Sequence, residues 1–249
     1  MSSSLMQLQE LLYSQGFGTR RVCAGLVQQG WVKVDGVPVR DATQQVEAVE
    51  DLPFEVQGQA WRYHALAYVL LNKPAGTECS HKPSAWPSIY TLLPAPLRQR
   101  PARTALSGVQ TIGRLDQDTT GLLLLSDDGQ FIHRMASPKH HVPKVYEVQA
   151  KHPVSDEQIR KLCAGVVLDD DPAPVRAAAA ERVAELHLRL TITEGKYHQV
   201  KRMVAAVGNR VEGLHRSRVG DLVLPEDLAP GQWRWLTPDE VEALRQRPR

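Results

Sequence analysis

Four consecutive leucines, Leu122–Leu125, constrain this chain more than any other stretch. Four residues fall far short of the roughly 20 that a membrane-spanning helix needs. Thr119-Thr120-Gly121 precedes them and Asp127-Asp128-Gly129 follows, so the leucines read as a buried strand that turns into a short helix ending before Pro138. The chain has 249 residues, 42% apolar and 23% charged, which is globular and large enough to bury a core without staples. Its cysteines, Cys23, Cys79 and Cys163, are odd in number and form no CxxC pair, so neither a disulfide framework nor a zinc knuckle is expected. The first residues lack a basic segment before an apolar core, so no secretory signal is read and the expected compartment is the cytoplasm.

Other stretches place strands and helices around the leucines. Leu5, Leu8, Leu11 and Leu12 recur at helical spacing after a serine run that can cap, with Gly16 as the stop. Thr19 can cap a second helix with Val22, Leu26 and Val27 inward and Gly30 as its stop. Trp31–Val39 alternates around Asp35-Gly36, a hairpin signal. Residues 41–63 are polar and acidic and read as the end of this unit plus a linker. Tyr68–Leu71 is a buried strand ending in the turn Asn72–Gly76, and residues 80–110 read as a long surface loop with short helical pieces. Strands are expected at Val145–Val148, Leu186–Ile192 and Val211–Val219. A helix carries Val200, Met203, Val204 and Val207 inward, and Thr237-Pro238-Asp239-Glu240 is a capping box opening a last helix. The elements alternate without regular βαβ repeats, which predicts α+β with a mostly antiparallel sheet. The expected domains are a small unit over 1–58, a linker over 59–66 and a larger domain over 67–249.

Charge separates the same regions. Residues 1–60 hold four Lys and Arg against seven Asp and Glu, and the remainder holds 26 against 21. Lys196 to Arg218 contains six cations and one acid, Glu212; Arg98, Arg100, Arg103 and Arg114 have no acid between them. Two such clusters on a near-neutral chain suggest a polyanion footprint, or else ordinary solvated surface. Arg20 and Arg21 sit in a first helical turn, where the dipole disfavours cations, so a bridging phosphate and plain solvation are both open.

Four stretches could carry chemistry. Gly113-Arg114-Leu115-Asp116-Gln117-Asp118-Thr119-Thr120-Gly121 runs into the leucine strand, where a carboxylate can be partly desolvated yet reachable, or can simply cap its own turn. Lys144 and Tyr146 share one face of a strand, and the Tyr is core or a stacking platform. Tyr197–Met203 puts Lys201 and Arg202 at a helix start, against the dipole, so a carboxylate or phosphate partner is expected. Leu214, Arg216 and Arg218 alternate on one strand face, an apolar residue beside basic ones that suits a nucleoside pocket. Asp116/Asp118 with Asp127/Asp128 could form a two-carboxylate Mg²⁺ site, whereas His140 and His141 are adjacent and poorly spaced as paired ligands.

Taken together these stretches resemble the bacterial rRNA pseudouridine synthases. Gly113–Gly129 is similar to the family's catalytic-Asp motif, Lys144-Val145-Tyr146 to its tyrosine motif, Glu194–Met203 with Gly208-Asn209 and Leu214–Arg216 to its basic motif, and Asn72–Gly76 to its opening strand and turn. The first helix–helix–hairpin resembles an S4-type RNA-binding domain. Tyr197–Met203, Leu214–Arg216 and Ser137–His141 most resemble the small-subunit members, which modify uridine 516 of 16S rRNA.

The resemblance implies isomerisation of uridine, without metal or redox cofactor, with Asp116 as nucleophile at C6 of uracil or C1′ of ribose. It implies that Tyr146 stacks on the base, that Lys201 or Arg202 pairs with Asp116, that Leu214 walls the pocket, and that Arg114 and Arg216 contact the substrate. The S4-like unit would dock RNA weakly through Arg20, Arg21 and Lys33, since it lacks the usual basic residue before its first helix. The expected partner is rRNA, naked or in an assembly intermediate, with no membrane and as a monomer. Two other readings of the chain are a synthase acting on 23S rRNA and a non-catalytic S4-type RNA-binding or ribosome-assembly factor. A third is a metal-dependent sugar-phosphate enzyme.

Overall fold

The computed structural model describes residues 4–103, 106–169 and 171–246. The chain divides into two compact units, one made of Met1–Tyr68, Leu93–Gln110 and Ser126–Gly129, the other of Val69–Leu92, Thr111–Leu125 and Gln130–Arg249.

The first unit begins with strand β1 (Ser4–Gln7) and helices α1 (Leu8–Ser14) and α2 (Arg20–Gln28). Leu5 was expected in the helix, but it lies in β1, paired with Glu47 and 70% exposed. Ser2 and Ser3 of the expected capping run lie outside the described residues, and Gln7 precedes α1 without a side-chain cap. Thr19 does cap α2, accepting from the Val22 N–H at 3.3 Å. The buried stripe of α2 is Cys23 and Val27, while Val22 is exposed. Leu8, Leu11 and Leu12 of α1 share their core with Cys23, Val27 and Phe54.

Strands β2 (Val32–Val34) and β3 (Val37–Val39) form the hairpin, with Asp35 at φ 48° and Gly36 at φ 77°, the positive values a two-residue turn of this kind requires. Beyond the hairpin, β4 (Gln45–Ala48) pairs with β1, and β5 (Pro53–Val56) and β6 (Gln59–Arg62) extend the hairpin's sheet in the order β3-β2-β5-β6. Residues 59–62, read above as the start of a linker, are therefore a sheet strand. No period-2 pattern shows there because none of the four residues is buried and only Trp61 is even half-buried. Helix α3 (Ala95–Gln99) belongs to this unit. Arg100, just after it, is fully buried: Nε donates to Asp127 at 2.6 Å, and the two terminal nitrogens donate to Gln15 Oε1 at 3.0 Å and to the His64 carbonyl at 2.8 Å.

A nine-stranded sheet dominates the second unit. Its strands are β7 (Tyr68–Lys73), β8 (Gln110–Thr111), β9 (Thr120–Ser126), β10 (Lys144–Ala150), β13 (Ala179–Ala184), β14 (His187–Ile192), β15 (Val211–Val219), β16 (Leu222–Val223) and β17 (Trp233–Trp235). The main path runs β13-β14-β10-β15-β9-β7-β17. A separate pair comprises β11 (Val166–Leu168) and β12 (Asp171–Val175). The helices are α4 (Gly129–Ala136), α5 (Asp156–Ala164), α6 (Gln199–Ala206) and α7 (Pro238–Arg245), the last opened by the capping box of Thr237 and Glu240. The leucines lie in β9, which is buried from Gly121 to Ser126. Pairing is mostly antiparallel, as the irregular element order predicts, but β9 and β15 run parallel, with Thr120 opposite His215 and Gly121 opposite Arg216. Gly121 has φ 105°, and a Cβ there would lie 2.3 Å from the Arg216 carbonyl oxygen, so only glycine permits this approach.

Candidate active site

The loop before β9 is wrapped around a buried ammonium. Lys73, at the end of β7 and fully buried, donates from Nζ to the carbonyls of Asp116 and Thr119, both at 2.9 Å. Burial lowers its pKa, and the nearby charges of Cys79, Asp118 and Asp116 oppose that shift. The Thr119 N–H closes the turn onto the Asp116 carbonyl at 3.1 Å. Sequence reading placed Lys73 only in a turn; the role as the loop's internal anchor comes from a partner more than 40 residues away.

The Asp116 side chain enters a cleft of about 140 Å³ in the second unit. Lys201, in the first turn of α6, reaches its Oδ2 at 3.0 Å and Asp118 Oδ1 at 2.7 Å. Burial tends to lower the Lys201 pKa, but the hydrogen bonds to Asp118 and Asp116 and their charges prevail and raise it. Burial likewise tends to raise Asp118, and Lys201 more than offsets this, leaving that carboxyl below its ordinary value. The carboxylate partner expected for cations at this helix start is thus a pair of aspartates. Arg202, the competing partner for Asp116, instead donates to the Tyr197 carbonyl at 3.2 Å. His198 Nε2 stands 3.2 Å from the other Asp116 oxygen, a contact sequence reading did not anticipate.

Tyr146, Leu214, Arg216, Lys144 and Arg114 line the same cleft. Tyr146 and Leu214 are buried, and Arg114 is exposed. Arg216 is buried, donating from Nε to the Leu122 carbonyl at 2.8 Å and from a terminal nitrogen to the Tyr146 hydroxyl at 3.4 Å. Lys144 Nζ donates to the Val142 carbonyl at 3.2 Å; burial, with the Arg216 charge second, pulls it down to about 8.

Arg218 was expected on the face of Leu214 and Arg216, and it is not there. Against β10, Tyr146 faces Arg216 but Val145 faces Arg218, so Ser217 is an extra residue. This bulge reverses the alternation: Val219 turns inward, while Arg218 is exposed and paired with Asp221 at 3.0 Å. Among the described residues no group of three or more His, Cys, Asp or Glu side chains is placed to hold a metal ion, and the Asp116/Asp118 and Asp127/Asp128 pairs have separate partners. The first is bridged by Lys201, Asp127 is held by Arg100, and Asp128 accepts from the Tyr68 hydroxyl at 2.7 Å.

In the first unit, Arg20 Nε pairs with Glu10 at 2.8 Å and its guanidinium lies 4.1 Å from the Tyr13 ring centre. Lys33 pairs with Glu55 at 2.9 Å. Arg21 is exposed. Of the two arginines at the helix start, Arg20 thus finds its anion within the unit, in Glu10.

Comparison with known proteins converges on one family. Residues 67–206 match the family described as RNA pseudouridylate synthase, and residues 6–52 match the S4 domain. The chain is 40% identical to ribosomal small subunit pseudouridine synthase A of Haemophilus influenzae, over 91% of this chain and 94% of the relative. It is also 40% identical to the protein of that name from Escherichia coli strain K12, over 93% and 96%. A crystal structure of a pseudouridylate synthase superposes with a TM-score of 0.66 at 37% identity, covering 96% of this chain and 99% of the other. In the described residues no helix is long and apolar enough to cross a membrane.

Proposed function

The chain belongs to the RNA pseudouridylate synthase family and is an RNA pseudouridine synthase, and from that premise we propose that it isomerises uridine 516 of 16S rRNA with Asp116 as nucleophile. The relatives' names support an rRNA substrate of the small subunit. One observation carries the mechanism: the Asp116 carboxylate has Lys201 on one oxygen and His198 on the other, inside a cleft walled by Tyr146 and Leu214.

The target uridine leaves its stack and enters the cleft, stacking on Tyr146 against Leu214. Asp116 forms a covalent bond at C6 of the base or C1′ of the ribose. The N1–C1′ bond breaks, the base rotates, and a C5–C1′ bond forms. The C5 proton departs, N1 takes up a proton, and the carboxylate is released unchanged. No electrons are transferred to or from the enzyme. Lys201, 3.0 Å from Oδ2, orients the carboxylate before attack. Arg216, pinned by Leu122 and Tyr146, supports the ring that receives the base, and Arg114 at the rim meets the RNA backbone. Arg20, Arg21 and Lys33 give the S4 unit a narrow RNA patch, with Arg20 and Lys33 already paired to Glu10 and Glu55. The enzyme works as a cytoplasmic monomer on rRNA or an assembly intermediate.

Tritium release from 5-³H-uridine-labelled 16S and 23S transcripts tests this reading, with the 16S transcript free and bound to ribosomal proteins. Release is expected from 16S rRNA only and is abolished in Asp116→Asn. Release from 23S alone would reassign the substrate. No release from any RNA, with binding intact, would replace the enzyme reading with that of an assembly factor.

A further inference from the structure

We propose that His198 is a positioning residue for the nucleophile, locking the rotation of the Asp116 carboxylate by holding the oxygen that Lys201 does not; this rests on the assignment of Asp116 above. A carboxylate tied at one oxygen still swings about its Cβ–Cγ bond. A second contact on the other oxygen limits that swing, and a reacting group must be held within about 0.5 Å of its working position. Here Lys201 lies 3.0 Å from Oδ2 and His198 Nε2 lies 3.2 Å from Oδ1. The approach is that of an ion pair by distance, without the alignment of the hydrogen bond that Lys201 makes.

Three further observations show the imidazole to be placed rather than incidental. His198 is the N-cap residue of α6 yet makes no side-chain cap bond, so its ring is not used to satisfy the helix start. It has φ 48° and ψ 31°, a left-handed conformation uncommon for residues other than glycine, though one His adopts more readily than most, and its neighbours hold it there. The imposing structure is visible. The Gln199 side chain clamps the turn, accepting from the Lys196 N–H at 2.8 Å and donating to Glu194 at 3.1 Å. The Tyr197 ring stacks on the imidazole with centres 3.7 Å apart and an angle of 23°. The ring is therefore fixed from behind while its Nε2 edge meets the carboxylate.

The test compares three variants in tritium release on 16S rRNA, with RNA affinity measured in parallel. His198→Ala removes the contact. His198→Gly removes it while relieving the left-handed backbone. His198→Gln retains an N–H at the reach of Nε2. Alanine and glycine are expected to lower kcat by roughly 10–100-fold with KM within twofold of wild type, and glutamine is expected to recover most of the loss. Full activity in His198→Ala overturns the proposal. So does recovery by glycine but not glutamine, which would make the backbone the cause, or a rise in KM alone, which would make His198 a substrate contact. Asp116→Asn is the control that separates the two ideas: if it stays active, or wild type releases no tritium, the assignment of Asp116 fails and this inference with it.

Discussion

Replacing Arg100 by Met should destabilise the protein by about 3–5 kcal/mol, the cost of leaving a buried charge without its partner. Arg100 and Asp127 are 0% and 2% exposed at their side chains and 2.6 Å apart. After Arg100→Met the other partners remain largely satisfied. Gln15 Oε1 still accepts from the His64 N–H at 3.1 Å, and the His64 carbonyl still accepts from the Gln15 amide at 3.0 Å. The Asp127 carboxylate keeps only the Ala67 N–H at 2.7 Å and a distant Arg103 at 3.8 Å, so the loss concentrates on that one anion. For a chain of this size the loss corresponds to a fall in Tm of about 6–20 °C. Asp127→Leu, which strands the guanidinium instead, should cost a similar amount. The double variant Arg100→Met/Asp127→Leu removes both charges and should lie within about 2 kcal/mol of wild type. Urea denaturation of the four proteins gives the coupling energy directly. Additive single effects, with the double variant the least stable, would refute the reasoning.

Two other consequences are open to measurement. Lys144 titrates near 8 in the folded protein against 10.5 for the free side chain, so below pH 8 it is charged in both states and the folded state bears the whole burial penalty. Between pH 8 and 10.5 the folded state releases the proton first and the penalty fades, so Lys144→Met should stabilise the protein at pH 7 by on the order of 2 kcal/mol and progressively less towards pH 10; equal gains in melting temperature at pH 7 and pH 10 would contradict this. Because Arg20 and Lys33 are already paired with Glu10 and Glu55, the triple change Arg20→Ala/Arg21→Ala/Lys33→Ala should lower the salt slope of RNA binding by about 1, not by about 3, as filter binding across a salt series would show.

Much of the framework was legible because its signals are short-range. Asp35-Gly36, Thr19, Gly121 to Ser126 and the Thr237–Glu240 box each state a turn, a cap or a strand within a few residues, and each element stands where its signal lies. Where local signals conflicted, the reading slipped. Leu5 fits a helical spacing, yet pairing with Glu47 across β1 and β4 makes it a strand residue. Residues 59–62 look like linker because the strand has no buried face to set an alternation, and only the partner strand β5 reveals them as sheet.

The site divides along the same line. By itself the sequence determined which chemical groups are available and on which elements they ride: Asp116 before a buried strand, Tyr146 on another, Lys201 at a helix start, Leu214 and Arg216 on a third strand. Tertiary structure decided which of them meet. It chose Lys201 over Arg202 across 85 residues of chain, and it brought His198 to the second oxygen of Asp116. It hid Lys73 under the Asp116 loop, and it turned Arg218 out through a bulge whose existence depends on the register of β10 against β15. Hydrogen bonds and ion pairs act over about 3 Å of space whatever the distance along the chain. Their partners are set by packing and register, which no local pattern records.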